Sequence, residues 1–209
     1  MSLRLNGSTS GYTEIDAPAV AGNNNLKLPS GNGSDGNILG TDGAGNLSWV
    51  NGRMVLATAQ NSTSGTSIDF TSIPSWVKRV TVMFNGVSGS GTSPFIVQLG
   101  TSSGVASSGY LSHSGFIQSS AVGSNTANTG FIIVSGAGGD LLYGPLTVST
   151  SGANTWLASG TQFRDSGTDY SIISSGFVTL SGTLDRIRIV TQNGTDTFDA
   201  GSINILYEG

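Results

Sequence analysis

Chemistry in this chain would have to run through very few side chains. His113 is the single histidine among 209 residues, and there is no cysteine. Thiol nucleophiles, disulfides, thiolate metal sites and multi-histidine metal sites are therefore excluded. A Ser-His-Asp relay would have to combine His113 with Ser112 or Ser114 beside it. Serine is so frequent here that its proximity carries little information, and His113 reads more simply as a loop residue. The carboxylates form two close pairs, Asp165 with Asp169 and Asp196 with Asp199. Glycosidic cleavage needs two carboxyl groups flanking a sugar linkage. Yet Asp165-Ser166-Gly167-Thr168-Asp169 and Asn193-Gly194-Thr195-Asp196 have the composition of turns, in which aspartate bonds its own backbone. Calcium on Asp140, Asp196 or Asp199 would draw on the same loop oxygens, but no ligand spacing resembles an EF-hand. No metal, no other cofactor and no enzymatic activity are expected.

Aromatic side chains are the better lead. A sugar stacks its C–H face on an aromatic ring while polar neighbours fix its hydroxyls. Tyr110, Tyr143, Trp156 and Tyr170 stand in small-residue, loop-like settings, Tyr110 most of all within Ser107-Ser108-Gly109-Tyr110-Leu111. With His113 they make up the candidate binding residues. Each has a plainer reading as core or subunit interface, since buried aromatics dominate packing. Trp156 has it most clearly, because Leu157 follows and a strand is expected there. Trp49 and Trp76 read as structural.

The elements that would position these residues are strands. Charged residues make up 10% of the chain, against about 25% in an average globular protein. Glycine numbers 32, and Ser, Thr and Asn fill much of the remainder. Low charge with recurrent Val, Ile, Phe and Thr argues for order rather than disorder. The net charge is −4, from 8 basic and 12 acidic residues, and no basic cluster exceeds Lys78-Arg79 or Arg186 with Arg188. Nucleic acid binding, which needs a basic stripe to displace phosphate counterions, is not expected. No apolar run approaches the roughly 18 residues of a membrane span, and the first residues lack the apolar core of a signal peptide.

Along the chain, residues 1–50 are poor in large apolar side chains. Leu3-Arg4-Leu5, Tyr12 to Asp16 and Leu26 to Pro29 read as short strands, separated by turn clusters at Gly22–Asn25 and Ser30–Gly36. Asn37 to Val50 reads as a hairpin: Ile38-Leu39 and Leu47 to Val50 flank Asp42-Gly43-Ala44-Gly45-Asn46, a run suited to positive φ and tight turns. Such a segment cannot close a core alone, so it must lie on the head or pack against copies of itself. From residue 51 onward strand signals recur to the end. Met54 to Ala57 reads as a buried strand. Val80, Val82 and Phe84 alternate with Arg79, Thr81 and Met83 up to a turn at Asn85-Gly86. Phe95, Val97 and Leu99 are in step, and Ile187 and Ile189 oppose Arg186 and Arg188. About ten strands with turn residues between them predict an all-β chain whose residues 51–209 form an antiparallel β-sandwich or barrel, the sandwich being preferred.

One stretch resembles a known family. Gly7-Ser8-Thr9-Ser10-Gly11, Ala17-Pro18-Ala19, Leu26-Lys27-Leu28-Pro29 and Thr41-Asp42-Gly43-Ala44-Gly45-Asn46-Leu47-Ser48-Trp49 recur in this order in a module of tail-fibre and virion structural proteins of tailed bacteriophages, cyanophages included. The resemblance covers about residues 7–50. It implies a virion protein, a tail fibre or fibre tip, made in the host cytoplasm. Residues 1–50 would attach it to other virion proteins and join its copies, as a homotrimer. Residues 51–209 would be a jelly-roll-like head that binds the host surface, with polysaccharide as the expected ligand. The polar loops Val87–Ser93, Thr101–Ser114 and Ser119–Thr129 would carry that contact. A capsid decoration or cement protein is the alternative, and a polysaccharide depolymerase the third reading.

Overall fold

The computed structural model describes residues 3–20, 22–34, 37–52, 54–118, 121–134, 137–167 and 169–209. Asp35 and Gly36 of the second turn cluster, and Ser119 at the start of the third polar loop, lie outside these. No described residue is helical, and the chain divides into two units, residues 1–52 and 53–209.

The first unit holds two hairpins. Strands β1 (Leu3–Asn6) and β2 (Tyr12–Ile15) pair with Leu3 opposite Ile15 and Asn6 opposite Tyr12. Arg4 stacks over the Tyr12 ring, 3.9 Å from its centre, and reaches Glu14. Strands β3 (Asn37–Thr41) and β4 (Leu47–Asn51) pair with Ile38 opposite Val50 and Leu39 opposite Trp49. Asp42 closes the turn between them. Its carboxylate accepts the N–H groups of Ala44 at 2.8 Å and Asn46 at 3.1 Å, and the Asn46 amide at 2.6 Å. The Asn46 amide, then the Ala44 N–H, hold the Asp42 carboxyl below its ordinary pKa. The Trp49 indole donates to the Gly31 carbonyl at 2.6 Å. The expected strand at Leu26–Pro29 is not one: only Lys27 bridges Asn46, in parallel, because Pro29 cannot donate to a ladder. None of the described residues of this unit is buried.

The second unit is two antiparallel sheets sharing one core. Its strands are β5 (Met54–Leu56), β6 (Gln60–Asn61), β7 (Ser67–Phe70), β8 (Arg79–Gly89), β9 (Phe95–Thr101), β10 (Gly104–Val105), β11 (Leu111–Ile117), β12 (Val122–Ala127), β13 (Phe131–Ile133), β14 (Leu141–Gly152), β15 (Thr155–Asp165), β16 (Tyr170–Thr179), β17 (Arg186–Thr191) and β18 (Phe198–Glu208). The large sheet runs β12-β11-β16-β15-β14-β8-β18-β5, with β6 also on β18; the small one runs β10-β9-β17-β7, with β13 also on β9. The chain passes repeatedly from one sheet to the other. Alternation decides which side chains meet between them. Val80, Val82, Leu146, Val148, Ile172 and Val178 from the large sheet face Val97, Leu99, Ile187 and Ile189 from the small one, all but fully buried.

Several local expectations are corrected. Asn85-Gly86 is no hairpin turn: β8 runs on to Gly89, and Gly86, at φ 64°, marks an irregularity in its pairing with β14. Met54 and Leu56 are exposed, because β5 is an edge strand with one neighbour, β18. The polar loops are in part strand. Val87 to Gly89 are the buried end of β8, Leu111 to Ser114 open β11, and Val122 to Ala127 form β12.

Candidate functional site

The structure does not bring the five candidate residues together. Tyr110 does lie in the loop between β10 and β11, but its side chain is turned into the core. Its ring is 1% exposed and meets Phe131 edge-on at 5.1 Å, and its hydroxyl accepts the Leu99 N–H at 2.7 Å. Trp156 is 4% exposed, on the inward face of β15. Neither ring is open to a sugar. Tyr170 is half-buried at the end of the core, beside Phe116 and over the Arg164 guanidinium. Burial raises the Tyr170 pKa, with Arg164 opposing. Arg164 is itself buried. It lies 3.5 Å from Asp140 and donates to the Val134 carbonyl; burial lowers its pKa against the pull of Tyr170 and Asp140. Asp140 is thus occupied by an ion pair.

Only His113 and Tyr143 stand on one surface, the outward face of the large sheet, three strands apart. His113 belongs to β11, not to a loop. Strand geometry also removes the Ser-His relay, because neighbouring side chains point to opposite faces. His113 is exposed, whereas Ser112 and Ser114 are buried. They point inward, where their hydroxyls accept the N–H groups of Ile132 at 2.9 Å and Val134 at 3.2 Å. Of the second carboxylate pair, Asp196 accepts the Ser93 N–H at 3.1 Å, and Asp199 takes the Ser88 hydroxyl. Among the described residues, no three histidines or carboxylates are grouped to hold a metal.

Two surface features remain. The first is the outward face of the large sheet. In register across it lies a polar row, Thr126, His113, Ser175, Ser159, Thr147 and Thr81. An apolar row, Leu111, Phe177 and Leu157, borders it on one side. On the other stand Ile173, then Val122, Ile117, Phe163 and Tyr143. A depression of about 640 Å³ opens beside His113, between Leu111, Thr126, Asn128 and Ser175.

The second feature is a cleft of about 480 Å³ between the turn after β9 and the connection from β16 to β17. Thr101, Ser102, Ser103, Ser181, Thr183 and Asp185 line it. Arg186 steadies it, donating to the Asp185 carboxylate at 2.8 Å and to the Ser102 carbonyl at 3.3 Å. Hydroxyls and a carboxylate suit a polyhydroxylated ligand; none of these lining residues is a histidine or cysteine. Sequence reasoning reached one wall of this cleft, in Thr101–Ser114. It missed Ser181 to Asp185, whose only signal was the turn composition of Ser181-Gly182-Thr183 before β17. No family model, curated protein or solved structure matches this chain.

Proposed function

We propose that this chain is a structural protein of a bacteriophage virion, a tail fibre or fibre tip, which works by binding rather than catalysis. The observation that carries the reading is a first unit folded into two hairpins, none of whose described residues is buried. Leu3, Leu5, Tyr12, Ile15, Leu26, Leu28 and Trp49 all stay exposed there. A β-module that does not bury its own apolar side chains gains them a core by packing against copies of itself. That is the condition of an axial appendage built from copies, here a homotrimer. The resemblance of residues 7–50 to fibre modules points the same way. The second unit we read as a jelly-roll-like sandwich serving as the head, in keeping with its repeated crossings between two antiparallel sheets. Its hydroxyl-lined cleft would take a host-surface polysaccharide. Each contact would be weak and made useful by three copies.

The test is the position of this chain in intact particles, by electron cryomicroscopy with antibody against residues 53–209. Density at a tail appendage is the expected result. Density repeating on the capsid lattice would make it a decoration protein, and absence from the particle would end the reading.

A further inference from the structure

We propose that the outward face of the large sheet, over β11, β12, β14, β15 and β16, is where the second unit packs against another copy of the same chain. The inference rests on the oligomeric reading above and adds to it the surface involved. In the second unit the exposed large apolar side chains Leu111, Ile117, Val122, Leu157, Phe163, Ile173 and Phe177 all belong to this face, from Phe177 at 42% to Val122 at 79% exposed. Apart from Met54 and Leu56, on the edge strand of the same sheet, no other large apolar side chain of the unit's described residues is as exposed. Surface apolar residues are ordinary when scattered; gathered on one face, they mark an interaction site.

The composition of the face selects the occupant. From the row of Leu111, Phe177 and Leu157 to the row of Ile117 and Phe163, these five strands place no Asp, Glu, Lys or Arg outward. Ion pairs appear only beyond it, as in Arg79 with Glu208 on β8 and β18. A charged polymer finds no counter-charge there. A glycan would find few rings to stack on, since five of the seven exposed side chains are aliphatic. Depletion of charge with aliphatic and aromatic enrichment is the composition of an interface core between like subunits. Gly115, Ser124, Ser159 and Thr161 keep the middle low, so a second sheet can approach closely. The size also fits. Five strands about 4.8 Å apart and seven residues of about 3.4 Å give a face of roughly 24 by 24 Å. That is on the scale of the roughly 800 Å² each partner brings to a standard interface.

The absence of cysteine allows a direct test in the full chain. Ser159→Cys puts a thiol in the middle of the face, and Asn193→Cys puts one in an exposed turn outside it. With a short bismaleimide, Ser159→Cys should yield covalent dimers at least tenfold above Asn193→Cys. Adding Leu157→Ser and Phe177→Ser should abolish that excess and lower the urea midpoint, as loss of a stabilising subunit contact requires, while the far-ultraviolet circular dichroism spectrum stays that of the parent. If Ser159→Cys cross-links no better than Asn193→Cys while the chain still sediments as an oligomer, the face is free. The proposal is then overturned and the appendage reading stands. If purified host polysaccharide, rather than a second chain, shields Ser159→Cys from a monofunctional maleimide, the face is a glycan platform and the proposal also fails. A monomeric chain would overturn both readings.

Discussion

The hydroxyl of Tyr110 accepts the Leu99 N–H at 2.7 Å and faces the Leu99 carbonyl at 3.3 Å. It fills a gap in a ladder. On one flank of β9, β13 pairs with Phe95 to Val97 and β10 with Gly100 and Thr101. Leu99 lies between these neighbours, and a side chain takes the place of a strand.

A pH dependence follows. Burial pushes the Tyr110 pKa up to about 12, against the lowering effect of its Leu99 hydrogen bond. The unfolded chain releases this proton near pH 10. The folded state thus holds the proton more tightly, so the stability linked to it is complete below about pH 10 and is lost as pH rises towards 12. Tyr110→Phe should cost about 1 kcal/mol at pH 7 and show a shallower loss between pH 10 and 12. Urea unfolding across that range checks it; parallel curves for parent and variant would contradict it.

The second prediction concerns the buried Arg164. Asp140→Asn leaves its guanidinium without counter-charge and should cost on the order of 3 kcal/mol. Arg164→Met, which removes the charge, should cost less than Asp140→Asn. The order of the two urea midpoints decides it, and a reversed order would show that the pair matters through packing alone.

A third concerns how β13 docks on the large sheet. Ser114 and Ser174 share a hydrogen bond at 2.9 Å, and a Cβ on Gly176 would lie 2.6 Å from the Leu111 carbonyl oxygen and 3.1 Å from the Phe131 ring. Small residues are what this approach requires. Gly176→Ala should lower stability by roughly 1–3 kcal/mol, and Ser114→Ala by roughly 1–3 kcal/mol by stripping the buried Val134 N–H of its acceptor. Thermal unfolding unchanged in both would refute the close docking.

Much of this was legible in the chain. Val80, Val82 and Phe84 against Arg79, Thr81 and Met83 state their faces by alternation, and so do Ile187 and Ile189 against Arg186 and Arg188. The Asp42 to Asn46 turn was legible because its residues carry the turn's own hydrogen bonds. What was hidden depends on partners distant in sequence. Tyr110 looks like a loop residue because its neighbours are small and polar; its place is set by Leu99 and by Phe131, 21 residues on. In β12, Val122-Gly123-Ser124-Asn125-Thr126-Ala127 has one large apolar side chain and is a strand only because β11 offers an edge. Asn85-Gly86 has the composition of a hairpin turn, yet the flanking strands continue past it.

Recognition is predicted to reside in the Thr101–Ser103 and Ser181–Asp185 cleft. Tyr110→Ala is unsuited to testing it, since it would empty the core. Ser102→Trp and Thr183→Trp should instead reduce binding of the chain to host cells at least fivefold, with the urea midpoint unchanged. The parent protein should leave purified host polysaccharide at full length, and Asp165→Asn and Asp196→Asn should bind as the parent does. Undiminished binding by both tryptophan variants would remove the cleft from the account. Shortening of the polysaccharide, lost in either aspartate variant, would make the protein a depolymerase.

The central claim is that a β-module with no buried side chain among its described residues is completed by copies of itself. Sedimentation velocity of the full chain at micromolar concentration tests this most directly. The predicted result is a single species of three 21.2 kDa chains. A stable monomer at that concentration would contradict the account.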